Sequence, residues 1–354
     1  MKPIDIAKFR KSITKSIDGI SAGFHDPGEN DWISTGNYAL NYLISNDFYK
    51  GIPLSKVSMF SGMPAAGKSY IVSGNIIKNA QDKGVYCILM DTENALDEAW
   101  LHALGVDTSE EKLLKLNVSL ICDALQIIND FVKEYKAQAP EDRQQILFVI
   151  DSLGMMSSAI SAKQADDNVL KGDFGSKPKE LMALMRHCLN MFGDLGMGLC
   201  CTNHSYASQD QFSPDDKISG GNSVVYAASI VVAMKPLKLK EDEDGVKGTE
   251  VLGIRSACKV MKTRFNKPFE DIEIQIPYDT GMSPHSGFFD LIEKKKMVTK
   301  DGNRYCYTDL NGEVHKYFRK AWNKNENGIM DLVMKEFKEK EKQKIIIEDT
   351  ESNI

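Results

Sequence analysis

One eight-residue stretch, Gly62 to Ser69 in the order GMPAAGKS, constrains this chain more than any other feature. It matches GxxxxGK[ST] and lies between the apolar run VSMFS and the helical pattern YIVSGNIIKNAQ. A strand that turns through glycines into a helix presents backbone N–H groups to an anion. The expected architecture is therefore α/β, with a phosphate-binding turn at one sheet edge. The cradle is expected over Gly62, Met63, Pro64, Ala65, Ala66, Gly67, Lys68, Ser69 and Tyr70. Gly62 and Gly67 let the backbone turn, Lys68 brings a point charge to the β and γ phosphates, and Ser69 offers a hydroxyl to magnesium.

The surrounding pattern agrees. Between residues 51 and 277, short β-rich runs (57–60, 85–90, 146–150, 199–202, 230–234, 253–259 and 272–276) alternate with helical patterns. The early runs are almost continuously apolar, as strands covered on both faces are, so a mostly parallel sheet is expected at the centre. The last two lie close together and suggest an antiparallel edge. Residues 235–250, containing LKLKEDEDGVKG, read as a charged hairpin or surface loop.

With 42% hydrophobic and 27% charged residues over 354 positions, a disordered chain is excluded. No apolar run approaches the roughly 18 to 20 residues a membrane span needs. A net charge of -6 excludes a globally basic nucleic-acid coat but not a local basic surface. The seven cysteines are scattered and never spaced as CxxC, which argues against a disulfide framework or a zinc site. The first residues contain no secretory core, so a cytoplasmic protein is expected.

Toward the ends the character changes. Phe9, Ile13, Ile17, Ile20 and Phe24 draw an apolar stripe on a helix that packs either on the core or on a neighbouring subunit. After Gly281 a helix and a small hairpin around Asp301 and Gly302 suggest a separate module. From about Asp331 a Lys/Glu-rich helix runs into the polar tail EDTESNI. The expected divisions are 1–30, an N-terminal helix and linker; 31–280, the core; 281–330, the module; and 331–354, the helix and tail.

Three further strand ends carry chemistry. ILFVID ends in Asp151, a carboxylate suited to the magnesium side of the site. VYCILM ends in Asp91-Thr92-Glu93; Glu93 is the candidate base for an attacking water, whereas Asp91 reads equally well as a cap for the helix expected near Ala95. LCCTNH ends in His204, which either sits at the γ-phosphate or is an ordinary structural histidine, and it opens into the long polar segment SYASQDQFSPDDKISGGN.

Over roughly residues 30 to 320 the chain resembles RecA-family strand-exchange proteins, most closely the UvsX type of T-even phages. The resemblance rests on GMPAAGKS, MDTENALDEAWLHALGVD, FVIDSLG, NHSYASQ, GGNSVVYAAS and KVMKTRFNKPFEDIEIQIPYDTGMSPHSGFFDL. It implies a RecA-like P-loop ATPase core in which Glu93 is the catalytic glutamate, Asp97 and Trp100 contact adenine, and Lys262 and Arg264 reach the neighbouring subunit's ATP. His204 departs from the glutamine of cellular RecA proteins and matches the UvsX branch.

Two DNA-reading loops are implied at about Met156 to Lys177 and Ser205 to Ser219. The second carries Asp210, Asp215 and Asp216 against Lys217, so its contacts are expected from Ser205 and from the helix start at Gly220, Gly221 and Asn222. Lys163, Lys171, Lys177 and Lys179 are candidate phosphate contacts, or else a solvated surface.

The implied activity is hydrolysis of ATP, with Mg2+, by a DNA-dependent recombinase. It would form filaments on single-stranded DNA and pair them with homologous duplex DNA in phage recombination, repair and recombination-dependent replication. A single-strand-binding protein and a recombination mediator are the implied partners. A hexameric helicase of the same fold and a non-catalytic mediator paralogue are the alternatives; small size and the lack of a large N-terminal domain count against the first, and retention of Lys68 and Glu93 against the second.

Overall fold

Fourteen strands organise the described part of the chain: β1 (Trp32–Ile33), β2 (Ile52–Pro53), β3 (Val57–Gly62), β4 (Tyr86–Asp91), β5 (Leu113–Asn117), β6 (Ile146–Asp151), β7 (Met197–Tyr206), β8 (Lys217–Ile218), β9 (Ile230–Leu239), β10 (Gly253–Lys262), β11 (Asp271–Pro277), β12 (Thr299–Asp301), β13 (Arg304–Thr308) and β14 (Val314–Phe318). The computed structural model describes residues 27–168, 175–193, 195–206, 217–241 and 248–351, with positions 5, 7, 8, 11 and 12, and side chains up to residue 341. All five residues of the N-terminal apolar stripe, Lys171, and Asp210, Asp215 and Asp216 lie outside the described residues.

The central sheet has the order β11-β10-β9-β3-β7-β6-β4-β5, with β8 pairing to β7. From β9 to β5 all neighbours are parallel, and β10 and β11 add the antiparallel edge. The fold is thus the α/β, mostly parallel arrangement expected. β3 and β6 are buried along their whole length because helices cover both faces. On β6, Leu147 and Val149 enter one apolar cluster while Ile146, Phe148 and Ile150 enter the other, following the two-residue period of a strand. The second cluster is closed by the helix Ile121–Ala137, whose buried Ile121, Ala124, Ile128, Val132 and Tyr135 fall three or four apart, and by the helix Ser176–Phe192.

Three local outcomes differ from the expectations. β9 runs on to Leu239 and pairs antiparallel with β10 from Gly253, so of the hairpin or surface loop expected over residues 235–250 the first five residues belong to a strand. β5, whose alternating LLKLN is buried only at its start, was not evident in the pattern. The helix after the glycine loop begins π-wound over Tyr70–Ile76 and becomes α-helical over Ile77–Asp82.

Beyond Gly281, the helix Phe288–Lys294, the three-stranded sheet β12-β13-β14 and the start of the helix Ile329–Glu351 share one apolar cluster with the core. Phe337 of that last helix meets Tyr42 and Phe48, both at 5.1 Å between ring centroids. Among the described residues no helix is long and apolar enough to cross a membrane.

Candidate functional site

Strand register decides which side chains meet. Gly62 is paired with His204, and Asp91 with Asp151, so the ends of β3, β7, β4 and β6 stand together at the C-terminal edge of the sheet. Ligands bind outside this edge in such sheets.

The glycines divide their work differently from expectation. Gly62 is still strand, and a Cβ there would lie 2.3 Å from the Met234 carbonyl oxygen, so its smallness serves the packing of β3 on β9. The loop turns instead at Ala65 and Gly67, with φ of 60° and 84°. Lys68, only 8% exposed, donates to the carbonyls of Gly62 and Met63 at 3.0 and 2.9 Å. Burial pushes its ammonium below its ordinary pKa, and the facing Asp151 and Glu93 carboxylates push back.

Beside the loop lies a cavity of about 620 Å³, lined by Ala65 to Tyr70, Trp100, Ala103, Leu104, Ile254 and the segment from Ile276 to Gly281. Its volume suits a nucleotide. Met63 is exposed at the loop's tip. Trp100 is in the lining, whereas Asp97 is not: its Oδ1 caps the helix Glu98–Ala103, accepting from the Trp100 N–H at 2.7 Å.

Asp151 Oδ2 accepts from the Ser73 hydroxyl at 2.7 Å, and Oδ1 accepts from Thr202. Neither partner was evident from sequence, because a hydroxyl inside an apolar run carries no periodic signal. The lone pairs these two hydroxyls leave on the carboxylate are hard oxygen donors of the kind magnesium takes, directly or through water.

Asp91 is not a helix cap, because the next helix begins only at Glu98 with Asp97 as its cap; Asp91 braces the turn after β4. It accepts from the backbone N–H of Glu93 and Leu96, both at 3.1 Å, and pairs with Lys115 at 3.0 Å. Although burial opposes ionisation most, the Lys115 and backbone hydrogen bonds together hold this carboxyl below its usual range.

Glu93 is placed otherwise. Thr92 exchanges two hydrogen bonds with the Ser152 backbone, at 2.9 and 2.7 Å, zipping the ends of β4 and β6 together. This sets the Glu93 carboxylate against the Ser152 hydroxyl at 2.9 Å and His204 Nε2 at 3.1 Å, while His204 and Ser152 stand 3.0 Å apart. Ser152 joins the two predicted residues. Gly154 makes room for the imidazole, since a Cβ there would lie 2.6 Å from His204 Cδ2.

His204 leads directly into the loop. Ser205 and Tyr206 pair with Ile218 and Lys217 of β8 as a short ribbon, and Gly220 and Gly221, with φ of 84° and 74°, turn the chain into the helix Asn222–Ala227. Lys163 is exposed on the helix Ala159–Asp166, but Lys177 donates to the Gly154 carbonyl at 2.6 Å and acts as a strut beside His204. Lys262 is also engaged within its own chain, donating to the Val225 and Tyr226 carbonyls at the end of the helix Asn222–Ala227. Burial first, and then the Arg264 charge, lower its pKa. Arg264 is exposed and has no ion-pair partner among the described residues.

Residues 11–164 match the RecA N-terminal domain. The fold is a RecA-like core. The chain is 26% identical to Protein RecA of Helicobacter pylori (strain P12) over 318 residues, covering 87% of this chain and 83% of that one. It is 24% identical over 311 residues to the DNA repair protein recA homolog 3, mitochondrial, of Arabidopsis thaliana, covering 85% and 66%. It is 25% identical over 279 residues to Protein RecA of Cutibacterium acnes, covering 78% and 74%. The RecA-like core thus carries at one sheet edge a glycine loop, a carboxylate with hydroxyl partners, and a Glu93-Ser152-His204 contact that continues into a ribbon.

Proposed function

We propose that this protein is a DNA recombination and repair protein of the RecA family, an ATPase whose nucleotide site communicates with bound DNA. The observation that carries the proposal is the Glu93-Ser152-His204 contact. It joins the candidate water-activating carboxylate to the strand that opens into the polar loop. Glu93 would take a proton from water as it attacks the γ-phosphate of ATP, giving ADP and phosphate, while Gly67 and Lys68 hold the phosphate oxygens. Magnesium, when bound through Ser69 and Asp151, neutralises charge on those oxygens.

A shift of the ribbon would move His204 against Glu93, so DNA on the loop and ATP at the sheet edge would each alter the other's binding, as linkage requires. The loops near Lys163 and Lys171 and after Ser205, with Gly220, Gly221 and Asn222, would carry single-stranded DNA. Arg264, exposed and without an ion-pair partner among the described residues, suits contact with a neighbour's ATP in a filament. The UvsX-type phage role and assistance by a single-strand-binding protein and a mediator belong to the same proposal, as does the division into core, module and tail.

Electron microscopy on single-stranded DNA with a non-hydrolysed ATP analogue tests it. Continuous helical filaments are expected. Closed rings would favour a helicase, and no nucleotide-dependent assembly would favour a mediator paralogue.

A further inference from the structure

Tyr70, the residue after Ser69, points its hydroxyl at the segment closing the far side of the 620 Å³ cavity. The Met282 backbone N–H donates to that hydroxyl at 2.9 Å. The approach is close, since a Cβ on Gly281, where φ is 71°, would lie 2.6 Å from the Tyr70 oxygen. The segment is tied elsewhere too: Tyr278 N–H to Leu252 O at 3.0 Å, Tyr38 N–H to Pro284 O at 2.9 Å, and Asn37 Nδ2 to Ser286 O at 2.9 Å. None of these reaches the phosphate loop. Tyr70 does, because its backbone continues directly from Lys68 and Ser69.

With the phosphates held at Gly67 and Lys68, the nucleoside end of a nucleotide fills the rest of the cavity, between Trp100 and residues 278–281. We propose that Tyr70 is a positioning residue for the nucleoside: its hydroxyl fixes the 278–281 wall at the distance from the phosphate loop that one nucleoside spans. The inference rests on the nucleotide-site reading and adds to it a residue that touches neither the reacting phosphate nor the attacking water. Losing the hydrogen bond would loosen the nucleoside end while leaving the chemistry in place.

The test compares Tyr70→Phe with the parent protein in DNA-stimulated ATP turnover, using inorganic tripolyphosphate as a competing probe for the phosphate end alone. KM for ATP should rise about five- to tenfold, as loss of one neutral hydrogen bond implies. The kcat should stay within about twofold, and tripolyphosphate inhibition should not change. Gly281→Ala attacks the same contact from the other side, and its effect on KM combined with Tyr70→Phe should be smaller than the product of the two. Unchanged KM in both variants, or a parallel weakening of ATP and tripolyphosphate, would overturn the assignment. If tripolyphosphate failed to inhibit the parent, or Lys68→Ala kept full turnover, the nucleotide site itself would fall and this inference with it.

Discussion

Glu93 and Asp91 are two residues apart on one strand end, yet their surroundings give them opposite duties. Asp91 is saturated by Lys115 and two backbone N–H groups. Glu93 keeps an exposed carboxylate against a hydroxyl and an imidazole. Glu93→Gln should therefore retain ATP binding and its neighbours while turnover falls by about 10² to 10⁴; nucleotide affinity and phosphate release measured together check this. Asp91→Asn should instead cost stability, about 1–3 kcal/mol near neutral pH. Because the folded-state pKa of Asp91 is depressed, its contribution is complete above the ordinary carboxylate range and disappears as pH falls through the lowered value. Urea unfolding of the two proteins should differ at pH 7 and converge in acid. The DTE run made both carboxylates visible in the sequence, but not Ser152, which reaches Glu93 only through the register of β4 against β6. Lys177 shows the converse: in sequence an anchored lysine looks the same as a solvated one.

Among the elements, strands buried on both faces were the most legible, because continuous apolar runs have few other uses inside an α/β chain. β5 escaped because an edge strand needs apolar residues only where it is covered. The glycine loop was legible as a motif, but the reason for each glycine was not, since the proximity of β9 to Gly62 is a tertiary fact. Gly62→Ala should thus act first on the sheet. A methyl 2.3 Å from a neighbouring strand's carbonyl cannot be relieved by a side-chain rotation, and about 1–3 kcal/mol or more of stability should be lost. Thermal unfolding with and without ATP separates this effect from loss of phosphate binding: a lowered Tm in both conditions is expected.

At the scale of the whole molecule, an exposed Arg264 beside an internally engaged Lys262 makes the two cations unequal, although the resemblance pairs them. If Arg264 serves a neighbour's site, Arg264→Ala and Glu93→Gln subunits should each be inactive alone, and mixed on DNA they should recover turnover above either. Removing such a charge at a water-poor interface costs several kcal/mol of transition-state stabilisation, about 10²-fold or more in rate. Co-assembled filaments without recovery would confine Arg264 to its own chain.

The ring of Phe337 closes a nest begun by Tyr42 and Phe48, with Phe288 against Phe48 at 5.3 Å. Such a nest joins residues far apart in sequence, so this part of the core closes only after Phe337 has been made. A ribosome that has delivered the glycine loop, the sheet and even β14 still holds a chain whose first core helix has an uncovered aromatic floor. Contacts spanning so much sequence close slowly. Until Phe337 has emerged, the nascent protein depends on whatever else in the cell can shield that floor.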